Sequence, residues 1–259
     1  MNQLFSVTES DVDLWSLELD LPRADEQRLD RFLSDVERAR ADRFVFAVDR
    51  VRYAVAHGLL RLVLSGYLGV EPGGIVIETQ AHGKPRLAGS PQLRFSLAHS
   101  GSRALLAVSL GREVGVDLEE RRELEDLEGL VRTCFSPAER AALAALPAPR
   151  RQAAFLAGWT CKEAFLKALG AGFSRPLDSF DVALVPGQPA ALLRVAGDPE
   201  APSRYALLQI DAGPRFVAAL AVEGREVALH ARPSEAVTAL LAGSCAIGTD
   251  GEPRARAVA

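Results

Sequence analysis

The segment Gly-Val-Asp-Leu-Glu at 115–119 places two carboxylates, Asp117 and Glu119, two residues apart in an apolar run. On a strand that spacing puts both on one face, where they repel and raise each other's pKa. A divalent cation resolves the conflict, and an all-oxygen donor set favours Mg²⁺ or Mn²⁺ over zinc. The plain alternative is a solvated strand end leading into the charged run EERRELEDLE. A second segment, WTCKEAFLKALG at 159–170, carries Glu163 and Lys167 four residues apart with Trp159 one turn earlier. On a helix all three share a face. They form either a surface ion pair beside a half-buried indole, or a third carboxylate with a phosphate-binding cation next to it.

Three further segments carry usable chemistry. HGKPRL (82–87) is a Gly-Lys-Pro turn, where the backbone can approach a flat ring or a phosphate and Lys84 adds a cation. FSLAHSG (95–101) ends an apolar run on His99 at a turn, a position equally suited to a structural histidine. FSPAER (135–140) reads as a helix start with Ser136 as N-cap and Pro137 in the first turn, which leaves Glu139 complementing the helix dipole. Arg40, Arg43, Arg50 and Arg52 cluster ahead of these, on what is otherwise a solvated helix face.

Of the 30 Lys and Arg residues only Lys84, Lys162 and Lys167 are lysine. A GC-rich genome favours arginine wherever either cation serves, so the surviving lysines mark sites where a compact ammonium is needed and a planar guanidinium is not equivalent. All three fall in the segments above.

These residues need a folded frame, and the composition supplies one. At 259 residues, 48% hydrophobic and 25% charged, the chain reads as one or two globular domains rather than a disordered or fibrous one. No apolar run approaches the ~18 residues of a membrane span, and the acidic N-terminus lacks a basic, apolar leader. Cys134, Cys161 and Cys245 show neither paired nor metal-type spacing, which suits a reduced cytoplasm. A net charge of −4 points to neither nucleic acid nor membrane, so an anionic ligand requires a local basic patch.

Apolar spacing predicts helix over much of 23–68 and over 151–169, with Gly66 and Gly69 as stops of the first and Gly170 and Gly172 of the second. Strands are expected at 75–78, 93–99, 104–110, 111–119, 179–185, 204–210 and 215–224, with an antiparallel hairpin through Ser100-Gly101-Ser102. The order of elements repeats. The expected fold is therefore α+β, a pseudo-dimer of two similar halves, each a long helix packed on a small antiparallel sheet. The halves are placed at 1–112 and 113–231, with a mobile tail at 232–259 and a ligand cleft between the halves.

The ordered set GKPRL, FSLAHSG, GVDLE, FSPAE and WTCKEAFLKALGAGFSRPLDSFDV resembles the 4′-phosphopantetheinyl transferases of the surfactin-synthetase type, from about residue 36 to about 222. Trp159 with Lys162-Glu163-Ala164 is similar to their W/KEA branch. The resemblance implies transfer of the phosphopantetheine arm of coenzyme A to a serine of an apo acyl, polyketide or peptidyl carrier protein, with release of adenosine 3′,5′-bisphosphate. It implies Asp117, Glu119 and Glu163 as ligands of Mg²⁺, with Mn²⁺ as a substitute, and Lys167 on the pyrophosphate. Lys84 and Pro85 line the adenine and ribose side by the same carry-over, and His99, Arg52 and Arg40 reach the 3′-phosphate. Ala98 stands where several relatives carry serine, and Glu37 where some carry lysine. Glu163, Glu139 and Lys162 fall at catalytic positions near the metal, and the base remains open among Glu163, Glu139 and a metal-bound water. Trp159 and Phe173 are expected on the carrier-docking face, and the duplicated halves suit a monomer. Two rivals are another Mg-dependent nucleotide or phosphate transferase, and a non-catalytic coenzyme A or carrier binder.

Overall fold

The structure, a computed structural model, describes residues 3–80, 82–170, 172–184, 188–242 and 255–257. Its first half runs β1 (Asp11–Glu18), α1 (Arg23–Asp30), α2 (Asp35–Ala41), α3 (Ala47–Leu68), β2 (Ile77–Thr79), β3 (Pro85–Leu87), β4 (Leu93–Ser100) and β5 (Arg103–Leu110). There follow β6 (Val114–Glu120), α4 (Leu127–Cys134), α5 (Pro137–Ala144), α6 (Ala148–Leu169), β7 (Phe180–Val182) and β8 (Leu192–Val195). The chain closes with α7 (Ala201–Arg204), β9 (Tyr205–Ile210), β10 (Phe216–Glu223), β11 (Val227–Arg232), α8 (Ser234–Leu241) and β12 (Ala255–Ala257). The fold is α+β.

Helices α3 and α6 are each 22 residues long. Each ends on a glycine in the left-handed region, Gly69 at φ 68° and Gly170 at φ 67°, a cap that glycine adopts without a Cβ clash. The long helices share that design, but the sheets differ in size. The first is five-stranded, ordered β12-β11-β1-β5-β4, and the second three-stranded, ordered β6-β10-β9, while β2-β3 and β7-β8 form separate two-stranded ribbons. The β4–β5 pair is the expected antiparallel hairpin. Serine hydroxyls on β4 bring the sheets together: Ser96 Oγ accepts from the Val116 N–H at 3.1 Å, and Ser100 Oγ from the Glu120 N–H at 2.9 Å.

Apolar side chains gather in three places. Leu59 and Val63 of α3 pack with Trp15, Phe95 and Leu106 beneath the first sheet. Phe155 and Phe165 of α6 pack with Ala219 and Ala221 of the second. Val12, Leu105, Val116 and Leu220 join strands of both sheets.

The C-terminal region departs from expectation. Residues 234–241 are the helix α8 rather than part of a mobile tail, because Val237, Leu240 and Leu241 recur at helical spacing and bury against the first core. Strand β11, expected to belong to the 113–231 half, leaves it and pairs in parallel with β1, Asp11 opposite Ala228 and Trp15 opposite Arg232. There Arg232 Nε donates to the buried Asp13 Oδ1 at 3.2 Å, and the Tyr67 hydroxyl donates to Asp13 Oδ2. Residues 255–257 of the expected tail form β12, antiparallel to β11, while 243–254 and 258–259, Cys245 among them, lie outside the described residues; Cys134 and Cys161 are buried free thiols. No helix among the described residues is long and apolar enough to cross a membrane.

Candidate active site

Strand β6 and helix α6 assemble the carboxylates. On β6, Asp117 and Glu119 sit opposite Ala219 and Val217 of β10 and share a face. On α6, Glu163 and Lys167 are one turn apart, and Lys167 Nζ donates to Asp117 Oδ1 at 2.6 Å. Trp159 Nε1 donates to Glu119 Oε1 at 3.1 Å, and the Ser100 hydroxyl donates to Glu119 Oε2 at 3.4 Å. The i, i+4, i+8 face of α6 thus reaches all three acidic positions.

Asp117 Oδ2 and Glu163 Oε1 are buried without a hydrogen-bond partner among the described residues. Burial pushes Asp117 up to about 6, with the charge of Glu119 adding to it and Lys167 opposing. Burial likewise pushes Glu163 up to about 7, with Asp117 and Glu119 adding and Lys167 opposing. Two orphaned carboxylate oxygens and three mutually repelling acids suit a hard cation with oxygen ligands. As the side chains stand, no three acidic, histidine or cysteine groups among the described residues converge closely enough to hold an ion. Lys167 occupies Asp117 Oδ1, and Trp159 engages Glu119. The carboxylates fit the cation by donor type and unmet demand.

Beside them opens a cleft of about 1120 Å³, walled by α2 and α3, the 82–85 turn, β4 and α6. Among the expected residues Arg40, Lys84, Pro85, His99, Glu163 and Lys167 line it. Arg40 has no ion pair among the described residues, and His99 stands exposed at its strand end. The surrounding protein, and then the charge of Lys167, hold His99 below the usual imidazole range.

Other expected residues sit elsewhere. Lys162 is fully buried; its Nζ donates to Glu139 Oε2 at 2.6 Å and to the Phe180 carbonyl at 2.7 Å, above the Phe180 ring. Glu139 accepts further from the Val182 N–H at 2.8 Å and the Ser136 N–H at 2.9 Å. Both carboxylate oxygens are thus occupied, and the pair ties α5, α6 and β7 together away from the cleft. Neither residue is placed for catalysis. Arg52 is held by Asp20 in two bonds of 2.7 and 2.8 Å and does not line the cleft. Ala98 alternates with His99 on β4, so its side chain packs between the sheets rather than toward ligand.

Lys84 lines the cleft with its stem, but its ammonium turns inward. It donates to Glu113 Oε2 at 2.7 Å, the Ala168 carbonyl at 2.6 Å and the Val114 carbonyl at 3.3 Å. It therefore holds the end of α6 against β6. Trp159 is half-buried, with its indole N–H engaged by Glu119. The Phe173 side chain lies outside the described residues. Glu37 is tied to Arg61 Nε at 2.8 Å within the Ser34 capping box.

Sequence reasoning missed Tyr53 and His57, which line the cleft one helical turn apart, and Glu113, which gathers Lys84, Arg86 and Arg94. The four-residue Tyr–His spacing was the available signal for the first pair. Glu113 gave none, since its partners come from two other strands.

Family models match both halves of the chain. One described as the N-terminal part of 4′-phosphopantetheinyl transferase covers residues 22–111, and one described as the 4′-phosphopantetheinyl transferase superfamily covers residues 113–221. The chain is 40% identical to 4′-phosphopantetheinyl transferase HetI of Nostoc sp., over 85% of this chain and 90% of that one. It is 30% identical to 4′-phosphopantetheinyl transferase Sfp of Bacillus subtilis, over 66% of this chain and 76% of that one. Likeness of that depth, running through both walls of the cleft, makes this chain a member of the 4′-phosphopantetheinyl transferase family.

Proposed function

We propose that the chain binds coenzyme A in the cleft and transfers its phosphopantetheine arm to a serine of an apo carrier protein, releasing adenosine 3′,5′-bisphosphate. The observation that carries this reading is the set of Asp117, Glu119 and Glu163 with Lys167 at the cleft wall, two of the carboxylates holding an orphaned oxygen. Asp117, Glu119 and Glu163 would hold Mg²⁺. When bound, the ion supplies Lewis-acid stabilisation of the pyrophosphate. Lys167, already beside Asp117, is placed to take a phosphate oxygen, and Arg40 with His99 offers donors at the far wall. Glu163, which lines the cleft, would accept the serine proton through an oxygen that the ion leaves free. Glu139 would not, because its oxygens are filled. The nucleophile comes from the partner, so the chain's own work is positioning and charge compensation.

The carrier would dock on the turn between α2 and α3. Val45, Phe46 and Val48 are 89%, 67% and 50% exposed there, with Arg43 and Arg50 exposed among them. An apolar patch edged by arginines is complementary to an acidic amphipathic helix. The test is intact-protein mass spectrometry of an apo carrier incubated with this chain, coenzyme A and Mg²⁺. The expected result is a gain of one phosphopantetheine mass, abolished by EDTA and restored by Mg²⁺ or Mn²⁺. No gain on acyl, polyketide and peptidyl carriers that a known transferase modifies in parallel would overturn the reading.

A further inference from the structure

Tyr53 and His57 stack ring on ring, with centroids 4.0 Å apart and planes 27° from parallel. His57 Nδ1 lies 3.1 Å from the Tyr53 carbonyl oxygen. A carbonyl oxygen only accepts, so Nδ1 carries the proton and donates to it. That contact fixes the tautomer, and Nε2 of the neutral ring is left as a bare acceptor. Nε2 has no hydrogen-bond partner among the described residues, and the ring lines the cleft near Arg40 and His99. Burial lowers the imidazole to about 4 against the opposing charge of Glu37, so the ring stays neutral at physiological pH.

A bare nitrogen lone pair repels phosphate oxygens and accepts from N–H or O–H groups. Arg40 and Lys167, on the same cleft, can only donate. The lining therefore holds a pure acceptor near a pure donor, and a ligand that carries phosphate and a hydrogen-bond donor close together is oriented by the pair.

Resting on the reading that coenzyme A occupies this cleft, we propose that His57 is a specificity-determining residue whose Nε2 accepts a hydrogen bond from the adenosine moiety. The donor is the amino group of the base or the free hydroxyl of the ribose. Tyr53 is the positioning residue, since its ring and carbonyl set the plane and the protonation of the imidazole.

The test is calorimetric binding of three ligands to the full chain: coenzyme A, its analogue with hypoxanthine in place of adenine, and its 2′-deoxyribose analogue. The wild type is expected to bind one analogue about two- to tenfold more weakly than coenzyme A, the loss of one hydrogen bond. His57→Phe keeps a ring on Tyr53 but has no acceptor. It is expected to bind coenzyme A more weakly by a similar factor and to lose discrimination against that same analogue. His57→Gln, which offers an amide oxygen, is expected to restore most of both. Which analogue suffers identifies the donor. The inference is overturned if His57→Phe binds coenzyme A as the wild type does, or weakens all three ligands equally. It is also overturned if the wild type binds all three alike, an arm that needs no variant to fold. Failure of the wild type to bind coenzyme A at all would instead remove the functional reading beneath it.

Discussion

Gly115 of β6 and Ala164 of α6 meet backbone to backbone: a Cβ built on Gly115 would stand 2.1 Å from the Ala164 carbonyl oxygen and 2.3 Å from the Ala168 nitrogen. The missing side chain lets the helix bearing Glu163 and Lys167 lie directly on the strand bearing Asp117 and Glu119. Gly115→Ala must push the two apart. It is expected to cost about 1–3 kcal/mol of stability and to reduce turnover well beyond that loss, because the Lys167–Asp117 bond opens. Wild-type turnover by the folded variant, with unchanged urea unfolding, would contradict the close approach.

Glu163→Gln is expected to cut phosphopantetheine transfer by about 10²–10⁴-fold and to change stability in a pH-dependent way. The folded-state pKa of Glu163 is raised to about 7 from the usual 4.5. Its contribution to stability is therefore present below the unfolded value and lost as pH rises through the folded one. With chelator present, the variant should melt with the wild type near pH ~4 and above it near pH ~8, on either side of that window. A constant gap in melting temperature across the range would count against the raised pKa.

Lys162→Met removes one partner of a fully buried ion pair and strands the Glu139 carboxylate. A loss of about 3–5 kcal/mol is expected from urea unfolding, partly recovered in the double variant with Glu139→Gln. Coenzyme A affinity of the folded fraction should stay near wild type. A selective loss of turnover at full stability would return Lys162 to the chemistry.

Lys84→Arg keeps the charge but not the shape. The ammonium meets three acceptors, and the stem packs so closely that a Cβ on Gly170 would lie 2.8 Å from Lys84 Cδ. A guanidinium does not fit that space. Lower thermal stability and weaker coenzyme A binding are expected together, and calorimetry showing wild-type affinity would refute the requirement for lysine.

Phe46→Asp places a charge on the apolar turn, 67% exposed in the wild type. It should raise the KM for carrier protein about tenfold, equivalent to ~1.4 kcal/mol, while coenzyme A affinity is unchanged. Unaltered carrier KM would move the docking surface elsewhere.

Local pattern carried most of the fold, because the two long helices, their terminal glycines and the 93–110 hairpin depend on neighbours in sequence. Strand β1 was not recognised. Its residues bury on both faces, Asp13 among them, so the polar alternation that marks a half-exposed strand is absent. The partner that neutralises Asp13 lies at Arg232. At the site, the type and spacing of Asp117, Glu119, Glu163 and Lys167 were legible because each pair lies within one element. The inward turn of Lys84 and the burial of Lys162 were not, since their acceptors come from other strands and helices. Lysine scarcity pointed to residues whose ammonium groups are met by carboxylates of this chain. Each of the three ammonium groups holds a carboxylate at 2.6 or 2.7 Å.

The parallel pairing of β1 with β11 has a temporal side. During synthesis β1 emerges first, and β5 and β4 can join it soon after. Its other edge, with the Asp13 carboxylate beneath it, waits until Arg232 has left the ribosome. For most of translation the nascent chain therefore carries an open sheet edge and a buried acid without its cation, a combination that invites association with other chains. A chain truncated before residue 227 retains Asp117, Glu119, Glu163 and Lys167 yet keeps that edge open permanently. Premature termination before that point would then yield an aggregating product rather than a shortened enzyme.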